Sequence, residues 1–201
     1  MPIKIHDNLP ARKLLQNEVV DVIDSSTAEK QDIRPLKFLL LNLMPKKLET
    51  EVQFARLLGA SPLQIELTLM TTETYLPKNT KKDHLIEFYK TLDDINNNFY
   101  DVLIITGAPV ETVPFQEVKY WNELKEIILW SSSNVFRRIG VCWGAQALLK
   151  VLHNVEKYSM KKKLFGVFDH NLNQEKRYRL MQGFIDRFPM RVSRYTENKK
   201  D

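Results

Sequence analysis

Residues 137–150 read RRIGVCWGAQALLK, and this stretch decides the fold. A short apolar segment (Ile139, Val141) runs through the only cysteine of the sequence into an Ala/Leu-rich segment that reads as a helix. Glycines stand two residues before and two after that cysteine: Gly140-Val141-Cys142-Trp143-Gly144. This is the nucleophile-elbow pattern with Cys in place of Ser. A sharp strand-to-helix turn holds its central residue in a strained backbone conformation, and side chains two positions either side would collide there. The helix that follows aims its N-terminus at the sulfur, which is expected to favour thiolate over thiol. A lone cysteine is more often a small buried hydrophobe; the glycine pair and the strand–turn–helix context turn the reading toward a nucleophile.

The sequence upstream repeats the alternation that such a turn requires. Residues 37–44, KFLLLNLM, form a continuous apolar run suited to a central parallel strand covered on both faces. Pro45 opens a helix in which Leu48, Val52, Ala55 and Leu58 recur at helical spacing before Gly59. Ile65, Leu67 and Leu69 alternate with polar residues as a second strand. A polar loop (71–83) and a helix over about 84–92 come next. DVLIIT, residues 101–106, is a third strand ending at Gly107-Ala108-Pro109. Val118, Trp121, Leu124 and Ile128 form the stripe of a further helix, which residues 131–134 are expected to break. Strand and helix thus alternate four times, which predicts a doubly wound, mainly parallel α/β sheet. Ligand sites of such sheets lie at the carboxyl ends of the strands, and loops 42–47, 106–111 and 142–144 meet there.

Residues 1–36 read as a mixed lead-in with a short strand at 19–23 and a polar linker at 25–32. Short strands are expected at 164–168 and 178–181, and the terminal SRYTENKKD is expected not to pack. The sequence has 201 residues, enough for one domain, so a single domain over 1–201 is expected. No apolar run approaches membrane-span length, and the N-terminus lacks a signal-peptide apolar region. One cysteine excludes an internal disulfide, so the cytoplasm is the expected compartment. The net charge of +5 is scattered, apart from Lys161–Lys163 and Lys199–Lys200, and no nucleic-acid-binding motif is present. A phosphate-rich cosubstrate also suits a locally basic surface.

With these residues placed, the chain resembles the homoserine O-acyltransferases of the transsuccinylase type. The segments that carry the resemblance are RPLK (34–37), LNLMPKK (41–47), ETE (49–51), SPLQ (61–64), TGAP (106–109), YW (120–121), VCW (141–143), KL (163–164), GV (166–167) and SRY (193–195). The resemblance implies a class I glutamine-amidotransferase-like, flavodoxin-like fold. It implies an enzyme of methionine biosynthesis that moves an acyl group from acyl-CoA to the hydroxyl of L-homoserine through a cysteine thioester. Cys142 matches the nucleophile, and the Trp143 N–H, which follows it, is the first candidate for the oxyanion hole, with a second donor from loop 109–111. Lys163, Ser193 and Lys47 match substrate-binding or activity-linked positions; as bare residues, Lys163 reads rather as one more solvated lysine of a KKK run, and Lys47 equally as a capping or surface residue of the first helical turn. Glu111 falls where glycine goes with succinyl transfer and glutamate with acetyl transfer, and a carboxylate there would repel a succinyl carboxylate. Acetyl-CoA is therefore the expected donor, as a cosubstrate; no permanently bound cofactor, metal, nucleic acid or membrane is implied, and a homodimer is one option. Serine as acceptor, a non-catalytic binding remnant, and a glutaminase- or glyoxalase-like relative are the rival readings.

Members of this family continue past residue 201 with another central strand, the catalytic histidine of an His-Pro-Glu motif, an orienting glutamate and a substrate-binding arginine. His6, His84, His153 and His170 lie in no such motif. The expectation is therefore a fold incomplete at the C-terminus, holding the nucleophile and not the base.

Overall fold

The computed structural model describes residues 2–18, 20–74, 80–172, 181 and 183–199. The chain forms two compact units, Met1–Glu156 and Lys157–Asp201. In the first, the strands are β1 (Ile3–Lys4), β2 (Val22–Ile23), β3 (Leu36–Leu41), β4 (Ile65–Met70), β5 (Tyr89–Lys90), β6 (Tyr100–Ile105) and β7 (Val135–Gly140). Its helices are α1 (Ala11–Asn17), α2 (Ser25–Ala28), α3 (Lys47–Gly59), α4 (Lys82–Phe88), α5 (Leu92–Ile95), α6 (Trp121–Asn134) and α7 (Trp143–His153). The second unit is an antiparallel pair, β8 (Lys157–Asn171) and β9 (Arg187–Asn198).

The sheet of the first unit is parallel throughout, in the order β2-β1-β4-β3-β6-β7, with β5 paired to β4. Strand alternation splits its core into two layers. Leu39, Leu41, Leu103 and Ile105 pack with Leu124, Ile128 and Ala147 of α6 and α7. Leu40, Ile104 and Leu67 pack with Leu15 of α1, Val52 and Ala55 of α3, and Leu85 of α4. Helices therefore cover both faces, as the unbroken LLL of β3 demands. The order reverses between β3 and β6, so loops 42–47 and 106–111 open on either side of the topological switch point. Strand β7 is the sheet's edge, with exposed Phe136 and Ile139. Among the described residues no helix is long and apolar enough to cross a membrane, and no group of three or more His, Cys, Asp or Glu is placed to hold a metal ion.

Several boundaries differ from the sequence reading. The mixed lead-in read over residues 1–36 is built into the sheet and its core: Ile3 pairs with both Val22 and Ile65, and Ile3, Ala11 and Leu15 are fully buried. The strand expected at 19–23 is only Val22–Ile23, Val19 lying outside the described residues, and the 25–32 linker contains α2, capped by Asp24. The helix at 84–92 stops at Phe88, because Tyr89 turns into the sheet beside Leu69. Residues 131–134 do not break α6: Ser131 donates its hydroxyl back to the Ile128 carbonyl, and Asn134 caps the carbonyls of Asn96 and Asn98. The strand at 164–168 is the middle of the longer β8, while most of 178–181 falls outside the described residues. The first six residues of SRYTENKKD do pack: β9 runs to Asn198, and Thr196 is buried, while the last two residues lie outside the described residues.

The burial of α1 makes a test. Leu15→Ala is expected to cost about 2–5 kcal/mol, read as a lowered urea midpoint with unchanged slope; an unchanged midpoint would mean that α1 contributes nothing to the core.

Candidate functional site

The turn between β7 and α7 is built from backbone. Val141 donates to the Ile105 carbonyl (2.9 Å), Gly144 to that of Val141 (3.0 Å) and Ala145 to that of Cys142 (3.0 Å). These bonds hold Cys142 at φ 54°, ψ −122°, a conformation that costs an L-residue energy. Both flanking glycines are obligatory. A Cβ on Gly144 would stand 2.5 Å from the carbonyl oxygens of Ile105 and Thr106, and one on Gly140 would stand 2.4 Å from Ala145 Cα. The thiol is left exposed at the N-terminus of α7. Facing it is Gly107, where a Cβ would lie 3.2 Å from Cys142 Cβ and 3.7 Å from Sγ. Next to Cys142, Trp143 is fully buried, its ring 5.9 Å from Phe115, 6.2 Å from Tyr120 and 6.5 Å from Trp121.

On the other side of the switch point lies a buried polar cluster. Lys47, in the first turn of α3, is 3% exposed and donates its ammonium to the Asn42 carbonyl. The Asn42 amide donates to the Tyr89 hydroxyl (2.9 Å), which donates to Glu51 Oε1 (2.6 Å). His84 Nε2 meets the same oxygen at 2.9 Å. Glu51 is 0% exposed, and its Oε2 has no partner among the described residues. Burial pulls the Lys47 pKa down to about 8, with the charge of Glu51 opposing that shift. Burial, then the neighbouring Glu51 carboxylate, raises the Tyr89 hydroxyl well above its ordinary range. A cavity of about 470 Å³ opens beside this cluster, lined by Asn42, Lys47, Thr71, Pro109, Val110 and Tyr120 among others.

Of the residues singled out by sequence, Cys142 and Trp143 occupy the elbow, and Lys47 lies on the cavity wall. Glu111 sits half-buried in the tight turn closed by the Val113 N–H on the Val110 carbonyl (3.1 Å), between two residues that line the cavity. Lys163 and Ser193 belong to the hairpin. Ser193 lies opposite Phe165, and the Lys163 ammonium stands 5.3 Å over the Phe165 ring and 5.2 Å over that of Tyr195. The hairpin thus brings Lys163 and Ser193 to one face. Sequence reading missed Glu51, Tyr89 and His84 as a cluster. Its one signal was the Lys47/Glu51 spacing, which puts two charges on one face of α3 beside Val52 and Ala55.

Comparison with known proteins matches residues 2–201 to the family described as homoserine O-succinyltransferase. The chain belongs to that family. It is 51% identical over 201 residues to the homoserine O-acetyltransferase of Allorhizobium ampelinum, covering all of this chain and 64% of that protein. Against the homoserine O-acetyltransferase of Desulfitobacterium hafniense it is 49% identical over 201 residues, covering 65% of that protein. Against that of Bacillus subtilis it is 50% identical over 197 residues, 98% of this chain and 65% of that protein. The chain therefore spans a little under two thirds of the length of these curated relatives.

In this member of the homoserine O-succinyltransferase family, Lys47 carries a pH signature of its own. Its ammonium ionises near pH 8 when folded and near 10.5 when unfolded. Between those values the unfolded chain holds more protons, so stability contributed by this group rises with pH. The stability of the wild type minus that of Lys47→Met is expected to be flat below about pH 8 and to climb from there to pH 10.5. Urea midpoints across that range check it; a flat difference would mean that the ammonium is solvated.

Proposed function

We propose that the chain takes an acetyl group from acetyl-CoA onto Cys142 for delivery to the hydroxyl of L-homoserine, as a homoserine O-acetyltransferase of methionine biosynthesis acting in the cytoplasm. The observation that carries this reading is an exposed cysteine fixed by a strained strand–helix turn at the carboxyl ends of parallel strands. Cys142 Sγ attacks the thioester carbonyl, the carbon–sulfur bond to CoA breaks, and the CoA thiolate leaves and takes up a proton. The Trp143 N–H, at the head of α7, is proposed to receive the oxyanion of the tetrahedral intermediate. The homoserine hydroxyl then loses its proton as its oxygen attacks the enzyme thioester, and the cysteine thiolate is released. Lys163 and Ser193, on one face of the hairpin, are proposed to hold homoserine, and Lys47 an anionic part of a substrate. The names of the relatives and the glutamate at position 111 both support acetyl over succinyl.

The second half of the reaction needs a base, typically worth about 10²–10⁴-fold. Among the described residues none of the four histidines is hydrogen-bonded to Cys142: His84 is engaged by Glu51, His6 by the Asn8 N–H and His170 by the Phe168 carbonyl, while His153 ends α7. That observation favours, as a second reading, a protein that binds or is acylated without turning over.

Purified chain given acetyl-CoA and homoserine is expected to release at most one equivalent of CoA, to carry one acetyl group on Cys142 by mass spectrometry, and to form no O-acetylhomoserine. Cys142→Ala should do none of this. Sustained Cys142-dependent product would mean that another residue or a neighbouring subunit supplies the base, and absence of any Cys142-dependent CoA release would discard the acyl-transfer reading. The donor choice is checked separately. Glu111→Gly is expected to raise the rate of Cys142 acylation by succinyl-CoA relative to acetyl-CoA on the order of 10-fold or more; an unchanged ratio would remove Glu111 as the discriminator.

A further inference from the structure

Loop 106–111 faces the thiol, and one buried hydroxyl determines how its first peptides are oriented. Thr106 is 1% exposed. Its Oγ1 accepts from the Leu43 N–H at 2.8 Å and donates to the Gly107 carbonyl at 3.0 Å. One hydroxyl thus ties the loop after β3 to the loop after β6 across the switch point, and it fixes the plane of the Gly107–Ala108 peptide. That peptide is trans, so its N–H, on Ala108, points away from the carbonyl that Thr106 holds. The preceding peptide is oriented differently. The Thr106 carbonyl faces Gly144 at the head of α7, 2.5 Å from where a Cβ there would stand, which turns the Gly107 N–H away from that helix. Pro109 has no N–H to give. Ala108 is 7% exposed, and among the described residues its N–H has no partner. A buried, unpaired donor of this kind calls for an explanation.

We infer that Thr106 is a positioning residue, whose hydroxyl holds the Gly107–Ala108 peptide so that the Ala108 N–H serves, with that of Trp143, as the second oxyanion donor beside Cys142. This rests on the acyl-transfer reading above and replaces the 109–111 donor expected from sequence. Gly107 makes the approach feasible, since a side chain there would lie on the cysteine. A carbonyl that rotates by a few tens of degrees carries its neighbouring N–H with it, and donors act only when aimed at the developing oxygen charge.

The test separates two reactions of the same thiol in the full 201-residue chain. With p-nitrophenyl acetate, Cys142 forms a carbon–sulfur bond to the acetyl carbon, the ester carbon–oxygen bond breaks and nitrophenolate departs with the electron pair; a tetrahedral oxyanion intervenes. With iodoacetamide, sulfur displaces iodide directly and no oxyanion forms. Thr106→Val removes the hydroxyl at nearly constant shape, and Thr106→Ser keeps it. The valine variant is expected to be alkylated at the wild-type rate but acetylated on the order of 10-fold or more slowly, short of the roughly 10²–10³-fold cost of deleting a donor outright. The serine variant is expected to match the wild type in both. Equal acetylation in valine and wild type would overturn the inference and leave the acyl-transfer reading standing. Absence of Cys142-dependent nitrophenol release from the wild type would overturn both. Should the valine variant not fold, the serine variant decides: slowed acetylation with normal alkylation there would show that the methyl, not the hydroxyl, matters, and would sink the proposal.

Discussion

The head of α7 presses close against the end of β6, where a Cβ on Gly144 would stand 2.5 Å from the carbonyl oxygens of Ile105 and Thr106. Everything at the site follows from that contact. It sets the height of α7 over the sheet, forces the chain to turn within two residues of β7, and leaves Cys142 at positive φ with its sulfur outward. Strain of this kind costs of order 1–3 kcal/mol. Burying the indole of Trp143, at 150–250 Å² and about 25 cal/mol/Å², returns roughly 4–6 kcal/mol as an upper value. The turn is therefore held by its immediate neighbour, with Phe115, Tyr120 and Trp121 closing around that ring.

The second organising feature is electrostatic. Lys47 and Glu51 are buried one turn apart on α3, and neither is satisfied by the other through a direct bond. The ammonium bonds a backbone carbonyl, and the carboxylate bonds Tyr89 and His84. Buried charges are costly, and a sequence that places two of them on the inner face of a helix spends stability where an apolar pair would gain it. The cavity opens beside Lys47, and it is the burial of that ammonium, 3% exposed, that draws its pKa down to about 8.

The alternating sheet and the elbow were readable because each rests on local chemistry: an unbroken apolar run for β3 and β6, and glycines placed where only hydrogen fits around Cys142. What stayed hidden depends on partners far along the chain. Helix α3 shows Leu48 in its apolar stripe, yet Leu48 is 38% exposed while Lys47, Thr50 and Glu51 face inward. Tyr89 and His84, some forty residues away, supply the bonds that make this tolerable. The two-residue strands β1 and β5 are too short to show a period, and they exist because β4 offers them a backbone edge. The tail sequence SRYTENKKD looks like a solvated end, and only the facing β8 makes its first six residues part of a strand. At the candidate site, Cys142, Trp143 and Glu111 could be named from motif and resemblance, whereas the Thr106 hydroxyl bridge could not, because in sequence a threonine ending a strand is indistinguishable from any other.

The turn at 110–113, with its Val113 N–H on the Val110 carbonyl, lies outside the sheet, whereas the cysteine opposite is fastened to β6, β7 and α7 at once. Replacing the side chain at position 111 disturbs no strand register and empties no core layer. Replacing either elbow glycine would drive a Cβ into backbone atoms. Descent with modification therefore has very unequal freedom here: the cysteine is bound to the architecture, while the residue beside the cavity can drift without the fold having to be reinvented.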